Sequence, residues 1–77
     1  MTKLPLVDAK TLEKILFKIG FGKIRQKGSH IFYRHADGRY TTIPHHPGRK
    51  IARPLLKEIL KQADISDEDY LKYLNEI

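Results

Sequence analysis

The 77-residue chain has no cysteine, so neither a disulfide nor a thiolate metal site supports it. No apolar run approaches the roughly 18 residues of a membrane-crossing helix. The N-terminus lacks the basic and apolar regions of a secretory signal. Together with the missing cysteines, this makes a cytoplasmic location the expectation. A chain this short buries only about 60% of its unfolded surface and is marginally stable. A single domain of helices packed on a small sheet could fold without staples.

Acidic residues are scarce in the middle third. From Gly22 to Lys50 there are seven Lys or Arg and one acid, Asp37. From Ile51 onward there are four basic and six acidic residues, so the net charge of +6 is concentrated mid-chain. A basic block of this kind is the footprint of a surface that meets a polyanion, or simply a solvated face.

The chain reads as helix, three short strands, helix, helix. Leu12, Ile15, Leu16 and Ile19 follow the spacing of one buried helical stripe, predicting a helix over about Ala9–Ile19. Asp8 can cap its start, and Gly20 sits where a left-handed end is wanted, with Phe21 free to fold back. A first strand is expected at Gly22–Lys27, with Ile24 on one face and Lys23, Arg25 and Lys27 on the other. Second and third strands are expected at His30–His35 and Arg39–Ile43, joined around Asp37-Gly38.

The loop length decides which residues face out. A two-residue loop pairs His35 with Tyr40. A three-residue loop, Ala36-Asp37-Gly38, pairs His35 with Arg39 and gathers Ile31, Tyr33, Thr41 and Ile43 on one side. A one-residue slip exchanges the faces. The three-residue loop is preferred because it collects the large apolar residues. It leaves His30, Phe32, Arg34, Tyr40 and Thr42 outside, beside Lys23, Arg25 and Lys27.

"PHHPGRK" (residues 44–50) reads as a loop. A second helix starts near Pro54, with Leu55, Leu56, Ile59, Leu60 and Ala63 facing inward. A third follows Ser66, which can cap it, with Asp67 and Glu68 at the positive end of its dipole. Leu71 and Leu74 face inward, with Tyr70 and Ile77 as further candidates. The fold class is α+β, and helix–strand–strand–strand–helix is the order of double-stranded-RNA-binding domains. In those domains, helices cover one face of a three-stranded antiparallel sheet; here a C-terminal helix is added. That order licenses a fold, not a function.

The segments "KIGFGKIRQKGSH", "IFYRHADGRYTTIP", "HHPG" and "LLKEILKQADIS", in this sequence order, resemble the HicA (YcfA-like) toxins of toxin–antitoxin pairs. The likeness covers about residues 7–66, leaving a C-terminal helix at about 67–76. It implies a double-stranded-RNA-binding-like fold, a ribosome-independent mRNA endonuclease, and a HicB-type antitoxin that silences it. The histidine of the family's Gly-Ser-His motif, regarded as catalytic, falls on His30. Many relatives have Gly-Thr before the leucine of the second helix, where this chain has Pro54 before Leu55.

The chemistry fits that expectation. RNA can be cut without a metal if its 2′-hydroxyl is deprotonated to attack the neighbouring phosphate, a task suited to histidine. Lys23, Arg25, Lys27 and Arg34 would stabilise the extra negative charge. Gly28 would let backbone approach a phosphate, and Ser29 could donate to it or cap a turn. Phe32 or Tyr40 could stack an unpaired base, unless a different register makes them core residues. Without the resemblance, a strand histidine such as His30 is more often merely exposed; the resemblance reverses that order. His45 or His46 could be the general acid for the leaving oxygen, or could only hold the loop or meet the antitoxin. With His35 they make poor metal ligands, since two are adjacent and no cysteine or carboxylate cluster helps. No cofactor is expected. The partners implied are mRNA and the antitoxin, with DNA met only through the antitoxin and no membrane. A non-catalytic RNA-binding module on the same sheet is the alternative.

Overall fold

Leu12, Ile15 and Leu16 are fully buried, and their spacing produces the first helix of the computed structural model, which describes residues 3–77. The elements are α1 (Ala9–Ile19), β1 (Phe21–Lys27), β2 (His30–His35), β3 (Tyr40–Pro44), α2 (Arg53–Gln62) and α3 (Asp67–Asn75). The strands form one antiparallel sheet in the order β1-β2-β3. α1 packs against β1 and β3, and α2 against β3, so the helices cover one face.

Helix ends follow local chemistry. The Asp8 carboxylate accepts from Thr11 N–H at 2.9 Å, and the Ser66 hydroxyl accepts from Asp69 N–H at 3.1 Å. Gly20 ends α1 at φ +117°, donating its N–H to Leu16 and Phe17 carbonyls. A Cβ there would stand 2.9 Å from His35 Nε2, so shape and dihedral both require glycine. α2 begins at Arg53 behind Ala52, with Pro54 in its first turn and no side-chain cap.

The β2–β3 hairpin has the three-residue loop. His35 N–H donates to Arg39 O at 2.8 Å, Gly38 N–H to His35 O at 2.9 Å, and Gly38 takes φ +99°. Ile31 faces Ile43 and Tyr33 faces Thr41 on the covered side. Tyr33, Thr41 and Ile43 are completely buried. β1 and β2 meet through a two-residue turn, Gly28-Ser29, with Gly28 at φ +60°. A primed turn needs that positive φ, so the Gly-Ser punctuation has a structural reason of its own.

Three expectations need correction. β1 carries a bulge: Lys23 pairs with Tyr33, but Arg25 pairs with Phe32, leaving Ile24 as the extra residue. The bulge breaks strict alternation, so Lys23 turns to the helix side and Ile24 is 51% exposed. Phe21 opens β1 opposite His35 and is buried in the same core as Leu12, Ile15 and Leu16 of α1. Leu55 is 37% exposed and Ile77 47%, so neither joins the core, whereas Tyr70 is buried and donates its hydroxyl to Pro5 O at 2.6 Å. Leu4, Val7 and Ile51 also enter the core. Ile51 N–H donates to Val7 O at 2.8 Å, and Arg53 donates to Leu4 O at 2.6 Å, docking the N-terminal segment.

Gly20→Ala is expected to cost at least about 1–2 kcal/mol, the left-handed penalty of an L-residue. Urea unfolding should show a lower midpoint at unchanged slope.

Candidate nucleic-acid interface

Strand parity puts one set of side chains on the face that no helix covers. His30 opens β2 between Lys27 and Pro44, Phe32 lies between Arg25 and Thr42, and Arg34 between Gly22 and Tyr40. His30, Arg25, Lys27, Arg34 and Tyr40 are exposed, and Phe32 is half-buried. The Arg25 guanidinium lies 4.5 Å from the centre of the Phe32 ring, whose other neighbour, Tyr40, is 6.1 Å away and tilted by 38°. Cation, aromatic and aromatic thus form a row across three strands.

No acid stands among these residues, and among the described residues Arg25, Lys27 and Arg34 form no ion pair. Their charge is directed at solvent. The remaining basic residues of the sheet are neutralised: Arg39 binds Asp37 at 2.8 Å, and Lys23 lies 3.4 Å from Glu13. Lys23 therefore does not share a face with Arg25 and Lys27.

The helix side of the same sheet end carries a polar chain that sequence reading missed. The Tyr33 hydroxyl donates to Glu13 at 2.6 Å and also contacts His45 Nε2 at 2.8 Å. These partners come from β2, α1 and the loop after β3, separated by 12 and 20 residues, so local patterns do not reveal them. Their one legible signal was a tyrosine at an inward strand position, whose hydroxyl needs a partner when buried. Burial raises the affinity of the Glu13 carboxyl for a proton, but the Tyr33 hydroxyl and the Lys23 ammonium outweigh it and hold Glu13 below the usual carboxylate range. Burial, and then the Glu13 charge, pushes the Tyr33 phenol well up. Burial holds the His45 imidazole below its ordinary value despite the attraction of Glu13.

His45 N–H of the backbone donates to Ser29 O at 2.7 Å, locking the loop against the Gly28-Ser29 turn. His45 thus stands on the helix side and His30 on the open side. His46 is exposed, and neither of its ring nitrogens is engaged among the described residues. His35 is structural: Nε2 lies 3.3 Å from Ile19 O, and Nδ1 accepts from Asp37 N–H at 3.1 Å. Among the described residues no three His, Cys, Asp or Glu side chains are grouped to hold a metal. Among the described residues no helix is long and apolar enough to cross a membrane.

An α-β-β-β-α chain with helices on one sheet face and a basic, open opposite face belongs to the class of small α+β folds resembling double-stranded-RNA-binding domains. Residues 9–65 match the family model of the HicA toxin of bacterial toxin–antitoxin systems, and the chain belongs to that family as the toxin component. The match runs from α1 through the end of α2 and stops before α3. A comparison with curated proteins finds no match.

The buried chain makes stability pH-dependent. His45 titrates lower in the fold than its ordinary 6.5, so the unfolded chain binds the proton first and stability falls as pH drops through 6.5. Glu13, held below 4.5, adds a second loss at lower pH. Tyr33 keeps its proton after the unfolded chain loses it, so stability also falls above pH 10. Denaturant midpoints across pH should trace this plateau and two falls, with the alkaline fall smaller in Tyr33→Phe. A midpoint unchanged from pH 7 to 5 would contradict the assignment.

Proposed function

We propose that this toxin is a ribosome-independent mRNA endonuclease that holds its substrate on the open sheet face and uses His30 for proton transfer. The observation that carries this reading is an exposed histidine among Arg25, Lys27 and Arg34, on a face with no acid and no covering helix. The resemblance of Gly28-Ser29-His30 to the family's motif supports the same residue.

RNA supplies its own nucleophile. His30 removes the proton of a 2′-hydroxyl, the freed oxygen attacks the adjacent phosphorus, and the bond to the 5′-oxygen breaks. Lys27, paired with His30 across the strands, stabilises the charge that builds on the phosphorus oxygens, while Arg25 and Arg34, further along the same face, hold flanking phosphates. Phe32 and Tyr40 offer faces on which unpaired bases stack, at about 1–3 kcal/mol per base. The leaving oxygen needs a proton. His45 is poorly placed to give it, being neutral, on the other face, and engaged with Tyr33. His46 is exposed and makes no hydrogen bond among the described residues, but it lines the same helix-side cavity as His45, so solvent at the open face is the proton source for the leaving oxygen.

Unpaired cations on an open face also suit the antitoxin. A HicB-type partner that lays an acidic or bulky surface over His30 and Arg34 would silence the enzyme, and any DNA contact would be made by that partner. These assignments require no cofactor.

Incubating the purified toxin with RNA in the presence of a chelator tests the proposal. Wild type should cut, and His30→Ala should be slower by about 10²–10⁴-fold while retaining its circular dichroism spectrum. RNA that binds but stays intact with wild type would point instead to a non-catalytic RNA-binding module. Equal cutting by His30→Ala would remove His30 from the chemistry. Affinity should fall with salt, and less steeply for Arg34→Ala than for wild type, because fewer counterions are released.

A further inference from the structure

A cavity of about 470 Å³ opens at the end of the sheet, on the helix side and away from His30. Ala9, Ile31 and Pro47 give it apolar walls, and Asp8, Gln26, Ser29, His45 and His46 give it polar groups, the Asp8 carboxylate being engaged in capping α1. Its size falls in the range of small-ligand pockets, which combine apolar walls with a few placed polar atoms. The exposed Lys10 at its margin forms no ion pair among the described residues.

Hydrogen-bond bookkeeping fixes what His45 presents there. Tyr33 has one hydroxyl proton, and it goes to Glu13 at 2.6 Å. Glu13, facing Lys23 at 3.4 Å, is ionised and has no proton to return. The 2.8 Å contact between Tyr33 and His45 is therefore an Nε2–H donating to the phenol oxygen. A neutral imidazole with its proton on Nε2 carries a bare lone pair on Nδ1. No described group bonds to that nitrogen. Glu13 and Tyr33 thus fix the tautomer of an imidazole that lines the cavity and leave its Nδ1 as an acceptor.

Ser29 and His30 are consecutive and stand at the same sheet end, Ser29 on the cavity and His30 on the open face. Only the narrow Gly28-Ser29 turn separates the two sides. A strand of RNA rounding this end could set a phosphate at His30 and a neighbouring base over Ser29.

We infer that the cavity is a nucleobase site for a nucleotide flanking the one cut at His30, with His45 Nδ1 accepting a hydrogen bond from an N–H of that base. The inference rests on the RNA-cleaving function proposed above. It makes His45 a specificity-determining residue, and Glu13 and Tyr33 positioning residues that act through it. A flat base fits between Ala9, Ile31 and Pro47, and Lys10 supplies a cation for the attached phosphate.

The test uses the full chain with ¹⁵N-labelled histidine and backbone, and an uncleavable 2′-fluoro RNA tetranucleotide of mixed sequence. At neutral pH, His45 of the free toxin should be the Nε2–H tautomer, and Tyr33→Phe should give a mixture of tautomers. Adding the RNA should shift His45 Nδ1 and the amides of Ala9 and Gly48 together with those of Phe32 and Arg34. Shifts confined to the open face would overturn the base site and leave the RNA function standing. Shifts on neither face would overturn both. In cleavage of a randomised RNA, Tyr33→Phe should reduce the base preference at one flanking position by about 2–10-fold, the equivalent of one hydrogen bond. An unchanged preference with a lower overall rate would show only a structural role and overturn the inference. His45→Ala reads the same preference should Tyr33→Phe fail to fold.

Discussion

The pairing of His35 with Arg39 across the Ala36-Asp37-Gly38 loop decides which side chains this protein shows to solvent. Three sets of bonds hold it. The backbone closes at 2.8 and 2.9 Å, and the Asp37 carboxylate accepts from the Arg39 backbone N–H and from its guanidinium. Arg39 also donates to Ala63 O at 2.7 Å at the end of α2, while His35 reaches Ile19 O at the end of α1. Both helices therefore clamp the hairpin loop from the covered side. Slipping the register by one residue would turn Tyr33 and Ile43 out and His30, Phe32 and Arg34 in. Burying an arginine without a partner costs far more than any loop conformation, so the register has no close competitor.

The bulge at Ile24 has a different consequence. Without it, Lys23 would stand beside Arg25 and Lys27. With it, Lys23 faces Glu13, and one cation is withdrawn from the open face to support the chain Glu13–Tyr33–His45. The open face keeps only cations with no acid nearby. One strand irregularity thus separates residues suited to a polyanion from residues that organise a loop.

The parts of the fold legible in the sequence are those set by neighbours in the chain. Asp8, Gly20 and Ser66 act within one turn, and the three-residue loop follows from the alternation of Ile31, Tyr33, Thr41 and Ile43. The outward row of His30, Phe32 and Arg34 follows from the same parity. The bulge was not legible, because "GKIRQK" alternates well enough to pass as a regular strand. Leu55 and Ile77 are apolar residues at positions that end up outside, which composition does not forbid. The docking of Leu4 and Val7 against Ile51, and the partners of Tyr33, join segments far apart in the chain. Their pairing is a property of the packed fold.

Two histidines at one sheet end therefore have different surroundings. His45 is fixed, neutral and bonded inward; His30 is exposed, outward and paired with Lys27, on a face that also carries Arg25 and Arg34. The proposed reaction asks the chain for proton transfer and positive charge, and asks the RNA for its own nucleophile. The chemistry of the product ends tests this most directly. Mass spectrometry of RNA cut by the purified toxin should find 2′,3′-cyclic phosphate on one fragment and 5′-hydroxyl on the other. Fragments ending in 3′-hydroxyl and 5′-phosphate would mean that water attacked in place of the 2′-hydroxyl, and would contradict the account.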